Sequence, residues 1–192
     1  LRRVIALIAA VLGLALVYSM SNIYQLAAEP AWDSIATPIT FYITTFLLGG
    51  LAMGTAFTIN YHYVKGKKDC GEVQVQCDML RTVLQWIAIG SIVLLGVQLV
   101  VVPLFVSQLA GGNAAAIESA SRLSGEYGIM FALRLILVIL GAGLFGLFLY
   151  RNALLNQERW MATFVIAAFG FVLIGELLGR FLFYAIHVRI GI

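Results

Sequence analysis

The sequence has few charged residues. Asp, Glu, Lys and Arg make up 11% of its 192 residues, whereas about a quarter is usual in a soluble domain. Hydrophobic residues make up 62%, the mean hydropathy is +0.99, and runs of about 20 apolar residues recur along the whole length. This composition excludes a soluble globular domain and predicts a single integral membrane domain over residues 1–192.

Cysteine and histidine are scarce, with two of each. The spacing of Cys70 and Cys77 matches no zinc or iron–sulfur pattern, so we expect free thiols and no metal site. A membrane-embedded haem usually needs two histidines at similar depth on neighbouring helices. His62 and His187 are predicted at opposite membrane faces, about 30 Å apart. We therefore expect no haem in this protein.

Nucleotide-binding and protease signatures are also absent from the sequence. It contains no Walker loop, no dinucleotide-binding fingerprint and no metalloprotease helix motif. Its glycine-rich pieces lie inside apolar runs, where they do not form a phosphate-binding loop. Any site must therefore be built from side chains within the membrane domain.

The apolar runs are long and do not alternate with polar residues, which indicates helices rather than barrel strands. The fold class is therefore predicted to be all-α, a polytopic transmembrane helix bundle. A secretory signal peptide is the alternative for the first run, after Arg2 and Arg3, but no clean small-residue cleavage site follows it. We predict five spans at approximately 4–22, 38–62, 80–106, 128–150 and 160–187.

The distribution of Lys and Arg predicts the orientation of the spans. One side has eight of these residues and the other side has two. We therefore expect the eight-residue side to be cytoplasmic and the C-terminus to be outside. The eight are Arg2, Arg3, Lys65, Lys67, Lys68, Arg81, Arg151 and Arg159; the two are Arg122 and Arg189.

Two charges interrupt the last apolar run, in the stretch GELLGRFLFYAIH at residues 175–187. A charge at the centre of a spanning helix costs about 2.5–3.5 kcal/mol on insertion scales. Glu176 and Arg180 are four residues apart and share one helix face, so we expect an ion pair between them. At 1.5 Å per residue, Arg180 lies about 10 Å and Glu176 about 16 Å from the outer end.

Other helices place polar groups at a similar depth. Arg134 is predicted about 10 Å and Gln98 about 13 Å from the outer end. Two arginines against one carboxylate leave a local positive surplus. This layer has two interpretations. In one, Glu176 bridges both arginines in a buried network that fixes helix register. In the other, the layer is a polar pocket or proton path that opens outward.

Four segments of the sequence resemble one known family. The sequence GELLGRFLFYAIH is the most specific, followed by EPAWDSIATPITFY at 29–42. The outer segment SQLAGGNAAAIESASRLSGEYG and the following ALRLILVILG occur in the same order. Together they resemble the anchor subunit of dimethyl sulfoxide reductase, the DmsC family, over essentially the whole length.

The resemblance implies a role in anaerobic respiration. Members of the family have eight spans with both ends outside, so this sequence would supply the last five. They hold a molybdopterin catalytic subunit and an iron–sulfur electron-transfer subunit at the bacterial inner membrane. They carry no haem, oxidise menaquinol and pass its electrons to the iron–sulfur subunit. The family's histidine-containing quinol stretch lies in N-terminal spans that this sequence lacks.

The resemblance also implies roles for the polar layer. Glu176 is the candidate catalytic group, as a proton acceptor, although a carboxylate tightly paired with arginine is a poor base. Gln98, Arg134, Arg180 and His187 are the candidate quinol-binding residues, and His187 is also suited to accept a proton near neutral pH.

Two other functions stay open. One is a transporter or channel piece with an outer-leaflet anion site, although carriers usually show internal repeats and broken helices. The other is a purely structural anchor that docks its partners through the outer loops 23–37 and 107–127.

Overall fold

The computed structural model describes residues 1–65, 74–144, 146 and 158–190. Within these ranges the protein is almost entirely helical and contains no strand, which confirms the all-α prediction. The side chains of Cys70, Cys77 and His62 lie outside the described part. The helices are α1 (Arg2–Ile23), α2 (Ala36–Lys65), α3 (Gln74–Ala110), α4 (Ala114–Ser124), α5 (Gly128–Val138) and α6 (Glu158–Ala185), and a π-helical turn, Ile139–Leu144, continues α5.

Most of the described helices are long enough to cross a membrane. Four qualify by length and hydropathy: α1, α2 over Ala36–Asn60, α3 over Thr82–Ala110, and α6 over Thr163–Ala185. Helices α4 and α5 form a pair bent by 69°, which passes the same test when counted together. The described residues therefore include four such helices, or five with the bent pair, in agreement with the predicted bundle.

The outer segment 107–127, predicted as a loop, is largely helical. Helix α3 continues to Ala110, and α4 begins at Ala114. Asn113 caps α4, because its side chain accepts a hydrogen bond from the backbone N–H of Ala116 at 2.9 Å. The loop prediction was wrong here because the segment contains a run of three alanines directly after Asn113, and alanine favours helix.

The core of the bundle lies between α2, α3, α5 with its π-helical turn, and α6. Helix α1 lies outside this core, since Ser21 is its one buried residue. The fully or nearly buried core side chains are Leu47, Leu51, Leu84, Ala88, Leu95, Val138, Ala142, Val165, Ala168 and Val172.

Three connecting segments meet at one end of the bundle, which we call the outer end. It consists of the α1–α2 connection, residues 111–127 and residues 186–190. The backbone N–H of Ile190 donates to the carbonyl of Ala28 at 2.9 Å, and Leu123 packs with Leu182. The segments that the span order places on one side of the membrane are therefore in contact. Their assignment to the outside stays a prediction.

Candidate functional site

Glu176 is the most buried charged residue among those that the structure describes, with 3% of its surface exposed. It points from α6 toward two other helices. Its Oε2 accepts a hydrogen bond from the Thr44 hydroxyl on α2 at 2.8 Å. Its Oε1 accepts one from the Gln98 amide on α3 at 3.1 Å. The carboxylate thus joins three helices.

The nearest cation to this carboxylate is on α5. Arg134 Nη2 lies 3.9 Å from Glu176 Oε2, and the Arg134 side chain is 14% exposed. This distance allows electrostatic attraction but is too long for a hydrogen bond. Arg134 Nε is buried without a hydrogen-bond partner in the described part of the protein. Arg134 is therefore attracted to Glu176 without donating a hydrogen bond to it.

The predicted ion pair between Glu176 and Arg180 is wrong. Within the described ranges, Glu176 has its ion pair with Arg134 and none within 4.0 Å with Arg180. The Arg180 guanidinium instead lies over the ring of Phe41 on α2, 3.7 Å from its centroid. The ring face attracts the cation and shields it from lipid. Glu176 therefore does not bridge the two arginines.

The place of Arg134 depends on a glycine of α6. A Cβ atom at position 179 would lie 2.5 Å from Arg134 Nε and 2.7 Å from Cζ. At position 175, a Cβ would lie 2.8 Å from a methyl group of Val138. The Gly175–Gly179 pair has the small-xxx-small spacing of close helix packing, and it admits α5 and the Arg134 guanidinium against α6.

A cleft of about 80 Å³ opens beside these groups, near the outer end. It contains the charged residues Arg134, Glu176 and Arg180, so its described wall carries a net positive charge. The volume is sufficient for a few water molecules and is below the ~300 Å³ of a small ligand pocket. The other lining residues are Ala36, Thr37, Thr40, Thr44, Val101, Val102, Phe105, Leu123, Phe131, Gly179, Leu182, Phe183 and Ile186.

His187 lies apart from this cleft, in an aromatic cluster at the outer end. The Trp32 ring stacks on His187 at 5.0 Å and on Phe183 at 5.5 Å. The indole N–H donates to the carbonyl of Phe183 at 2.8 Å. His187 Nδ1 lies 2.5 Å from the Tyr184 carbonyl. Phe183 belongs to both the cluster and the cleft wall, so it links the two.

A pair of tyrosines attaches α1 to this cluster. The hydroxyl groups of Tyr24 and Tyr184 are 2.6 Å apart. This hydrogen bond, followed by partial burial, raises the pKa of Tyr24 above its ordinary value. Tyr24 therefore stays protonated at neutral pH and the contact is insensitive to pH in that range.

Of the five residues predicted from the sequence, the structure brings four together. Arg134, Glu176 and Arg180 line the cleft, and the buried Gln98 reaches it through its hydrogen bond to Glu176. Thr44 was missed. Its signal is the spacing of Thr37, Thr40 and Thr44, which places hydroxyl groups on one face of the apolar helix α2.

Comparisons with known proteins agree with the resemblance. The family described as DMSO reductase anchor subunit (DmsC) matches residues 1–186. The C chain of anaerobic dimethyl sulfoxide reductase from Haemophilus influenzae is 29% identical over 189 residues, covering 96% of this sequence and 56% of that protein. The C chain of the same enzyme from Escherichia coli is 27% identical over 196 residues, covering 100% and 59%.

A third relative, the YnfH chain of anaerobic dimethyl sulfoxide reductase from Escherichia coli, is 26% identical over 186 residues, covering 94% of this sequence and 55% of that protein. The protein thus spans between a half and three fifths of the length of these relatives. No solved structure matches it significantly.

Proposed function

The protein belongs to the family of DMSO reductase anchor subunits, and we propose that it oxidises menaquinol in the cleft and passes the electrons to an iron–sulfur partner subunit. Its apolar helices make it a membrane protein. In the proposed complex, a molybdopterin catalytic subunit and the iron–sulfur subunit are held at the bacterial inner membrane, with the outer end of the bundle outside.

The observation that carries this proposal is the polar cleft in an apolar bundle. Charged groups within a spanning helix are costly and mark ligand or proton pathways. Arg134 and Arg180 present hydrogen-bond donors to the oxygens of a quinol, and the apolar wall suits its ring. The cleft is small, so it admits the polar edge of the quinol ring.

Oxidation of a quinol releases two protons with two electrons, and the cleft contains one carboxylate to receive a proton. Arg134 is not hydrogen-bonded to Glu176, because the separation is 3.9 Å. Arg134 is therefore free to turn toward a ligand oxygen without breaking a hydrogen bond. Glu176 is the carboxylate that lines the cleft, and in this proposal it accepts the proton.

His187 is suited to a later proton step. Its side chain is exposed at the outer end, and an imidazole nitrogen can take up and release a proton. It does not line the cleft, so the geometry favours proton release at the surface over contact with the quinol ring.

The outer end also offers the docking surface for the partner. Electron transfer requires a cluster of the partner close to the cleft, and the cleft lies near this end. The α1–α2 connection and α4 form the surface there. We propose that the iron–sulfur subunit binds to it.

The test is Glu176→Gln in the complete complex. We expect slower oxidation of a menaquinol analogue and unchanged turnover from an artificial donor that bypasses the membrane subunit. The matched control is Glu126→Gln, which should leave both activities unchanged, since Glu126 is an exposed carboxylate between α4 and α5, outside the proposed docking surface.

Other outcomes contradict the proposal. Loss of the complex from the membrane would indicate a purely structural role for Glu176. Unchanged quinol oxidation in an assembled complex would exclude Glu176 as the proton acceptor.

A further inference from the structure

We propose that Arg134 and Arg180 together form a binding site for one ionised oxygen of an amphipathic ligand. Two sources have this chemistry: the ionised hydroxyl of a quinol and the phosphate of an anionic lipid. The quinol source rests on the proposed function, whereas the site itself does not.

The first argument is that both guanidinium groups have unused donors. Each carries five N–H groups, and neither donates a hydrogen bond to any residue that the structure describes. Arg134 Nε is fully buried, and a buried donor without an acceptor is costly and rare. Phe41 covers the face of the Arg180 guanidinium, so the N–H groups at its edge stay available.

The second argument is that other donors on the cleft wall are occupied. The Thr37 hydroxyl donates to the carbonyl of Trp32 at 2.7 Å, and the Thr40 hydroxyl donates to the carbonyl of Thr37 at 2.9 Å. The Thr44 hydroxyl donates to Glu176. The donors left for a ligand are those of the two arginines, which favours a ligand group that only accepts hydrogen bonds.

The third argument is charge. Two arginines and one carboxylate line the cleft, and an apolar surrounding strengthens the interaction of unlike charges. A single negative charge on the ligand restores neutrality. Guanidinium groups bind oxyanions through planar, charge-assisted hydrogen bonds. The site therefore favours an ionised oxygen over a neutral hydroxyl.

The shape of the cleft is consistent with this ligand. About 80 Å³ accommodates a small polar group rather than a whole ligand. Apolar side chains such as Val101, Phe105 and Leu182 continue the wall and suit a ring or an acyl chain. Gly179 is the positioning residue, because any side chain there would collide with the Arg134 guanidinium.

For a quinol, this site favours loss of the first proton. The O–H bond breaks, the proton passes to Glu176 or to water, and the electron pair stays on the oxygen facing the arginines. The resulting anion is the better reductant. In the proposed function, an iron–sulfur cluster of the partner would accept its two electrons, one at a time, and the second O–H proton would pass to water as the quinone forms.

The experiment compares two oxidised naphthoquinone probes, with no electron donor present, in the full membrane complex in nanodiscs of zwitterionic lipid. An alkyl 2-hydroxy-1,4-naphthoquinone is ionised at neutral pH, and its 2-methoxy analogue is uncharged. Binding is measured by calorimetry and by the absorbance of the ionised probe. We expect the wild type to prefer the ionised probe by about tenfold.

The variants Arg134→Gln and Arg180→Gln should each abolish most of this preference while the binding of the methoxy probe stays the same. Arg3→Gln is the matched control, because Arg3 is an exposed arginine of α1 at the end of the bundle opposite the cleft, and it should retain the preference. Equal affinity of the wild type for both probes would contradict the proposed binding site. An unchanged preference in both Arg134→Gln and Arg180→Gln would also contradict it.

A second arm distinguishes the two sources. Nanodiscs that contain anionic phospholipid should weaken binding of the ionised probe if lipid phosphate occupies the site, and this effect should vanish in Arg134→Gln. If anionic phospholipid does not compete with the ionised probe, lipid phosphate is excluded as the occupant and the site is assigned to the quinol. Binding of the probes is measured without turnover, so it tests the site separately from quinol oxidation. A complex that prefers the ionised probe but does not oxidise quinol would support the binding site and contradict only the proposed function.

Discussion

The hydroxyl of Thr44 on α2 donates a hydrogen bond of 2.8 Å to Oε2 of Glu176 on α6. Gln98 on α3 donates to the other oxygen, and Arg134 on α5 lies 3.9 Å away. The carboxylate on α6 therefore interacts with side chains of the other three core helices, α2, α3 and α5. Lipid provides no hydrophobic force between spanning helices, so this network and close packing set their register.

Thr44→Val should weaken the bundle slightly without changing its shape. Valine has nearly the same shape but cannot donate to Glu176. Interhelical hydrogen bonds of membrane proteins contribute on average about 0.6 kcal/mol and at most about 1.7 kcal/mol, and we expect a loss of free energy of unfolding in that range. Reversible unfolding in mixed detergent micelles measures it.

The control for this variant is Thr45→Val. The Thr45 hydroxyl donates within its own helix, to the carbonyl of Phe41 at 2.8 Å. It should leave the stability within error of the wild type. If both variants lose the same amount, the effect comes from helix α2 itself and not from its contact with Glu176.

Gly179→Ala should displace the Arg134 guanidinium. The new Cβ would lie 2.5 Å from Arg134 Nε, and overpacking of this kind typically costs about 1–3 kcal/mol. We expect lower stability in micelles and the same loss of preference for the ionised naphthoquinone as in Arg134→Gln.

Gly170→Ala is the matched control on α6, because nothing lies within 4 Å of a Cβ at that position. It should bind both probes as the wild type does. A Gly179→Ala protein that retains the preference would show that Arg134 reaches the ligand from another position.

Asn113→Ala should loosen α4 at its first turn. The Asn113 side chain accepts a hydrogen bond from the Ala116 N–H, and loss of such a cap costs about 1 kcal/mol. Faster hydrogen exchange of residues 114–117 checks this. If α4 docks the iron–sulfur partner, the variant should also bind that subunit more weakly. The conservative variant Asn113→Asp retains an acceptor and should restore slow exchange.

The sequence was sufficient to predict the all-α helix bundle, whereas the exact bounds of the spans and the membrane depth of the polar groups stay predictions. Long apolar runs without alternation are stable in a membrane only as helices. The rise per residue of a helix predicts a similar depth for Glu176, Arg134 and Gln98. The partners of these groups were less predictable. The Glu176–Arg180 expectation used spacing along one helix, whereas the actual contacts join helices that are far apart in sequence.

The role of Phe41 also had no signal in the sequence. Phenylalanine is common in apolar helices, and its contact with Arg180 arises from packing of α2 against α6. The helix α4 was missed for a different reason, since alanines and serines between two spans also suit a loop. Its Asn113 cap and the alanines that follow were the available signals.

The Phe41–Arg180 contact predicts a measurable coupling energy. The Arg180 guanidinium lies 3.7 Å from the Phe41 ring centroid, and such contacts contribute about 0.5–2 kcal/mol, more when water is excluded. A double-mutant cycle of Phe41→Leu and Arg180→Gln, measured by unfolding in micelles, should give a coupling in this range. Phe41→Leu alone should also weaken binding of the ionised probe, because Arg180 loses the surface that orients it. A coupling near zero would mean that the ring only fills space, and Arg180 would then have to be oriented by the ligand itself.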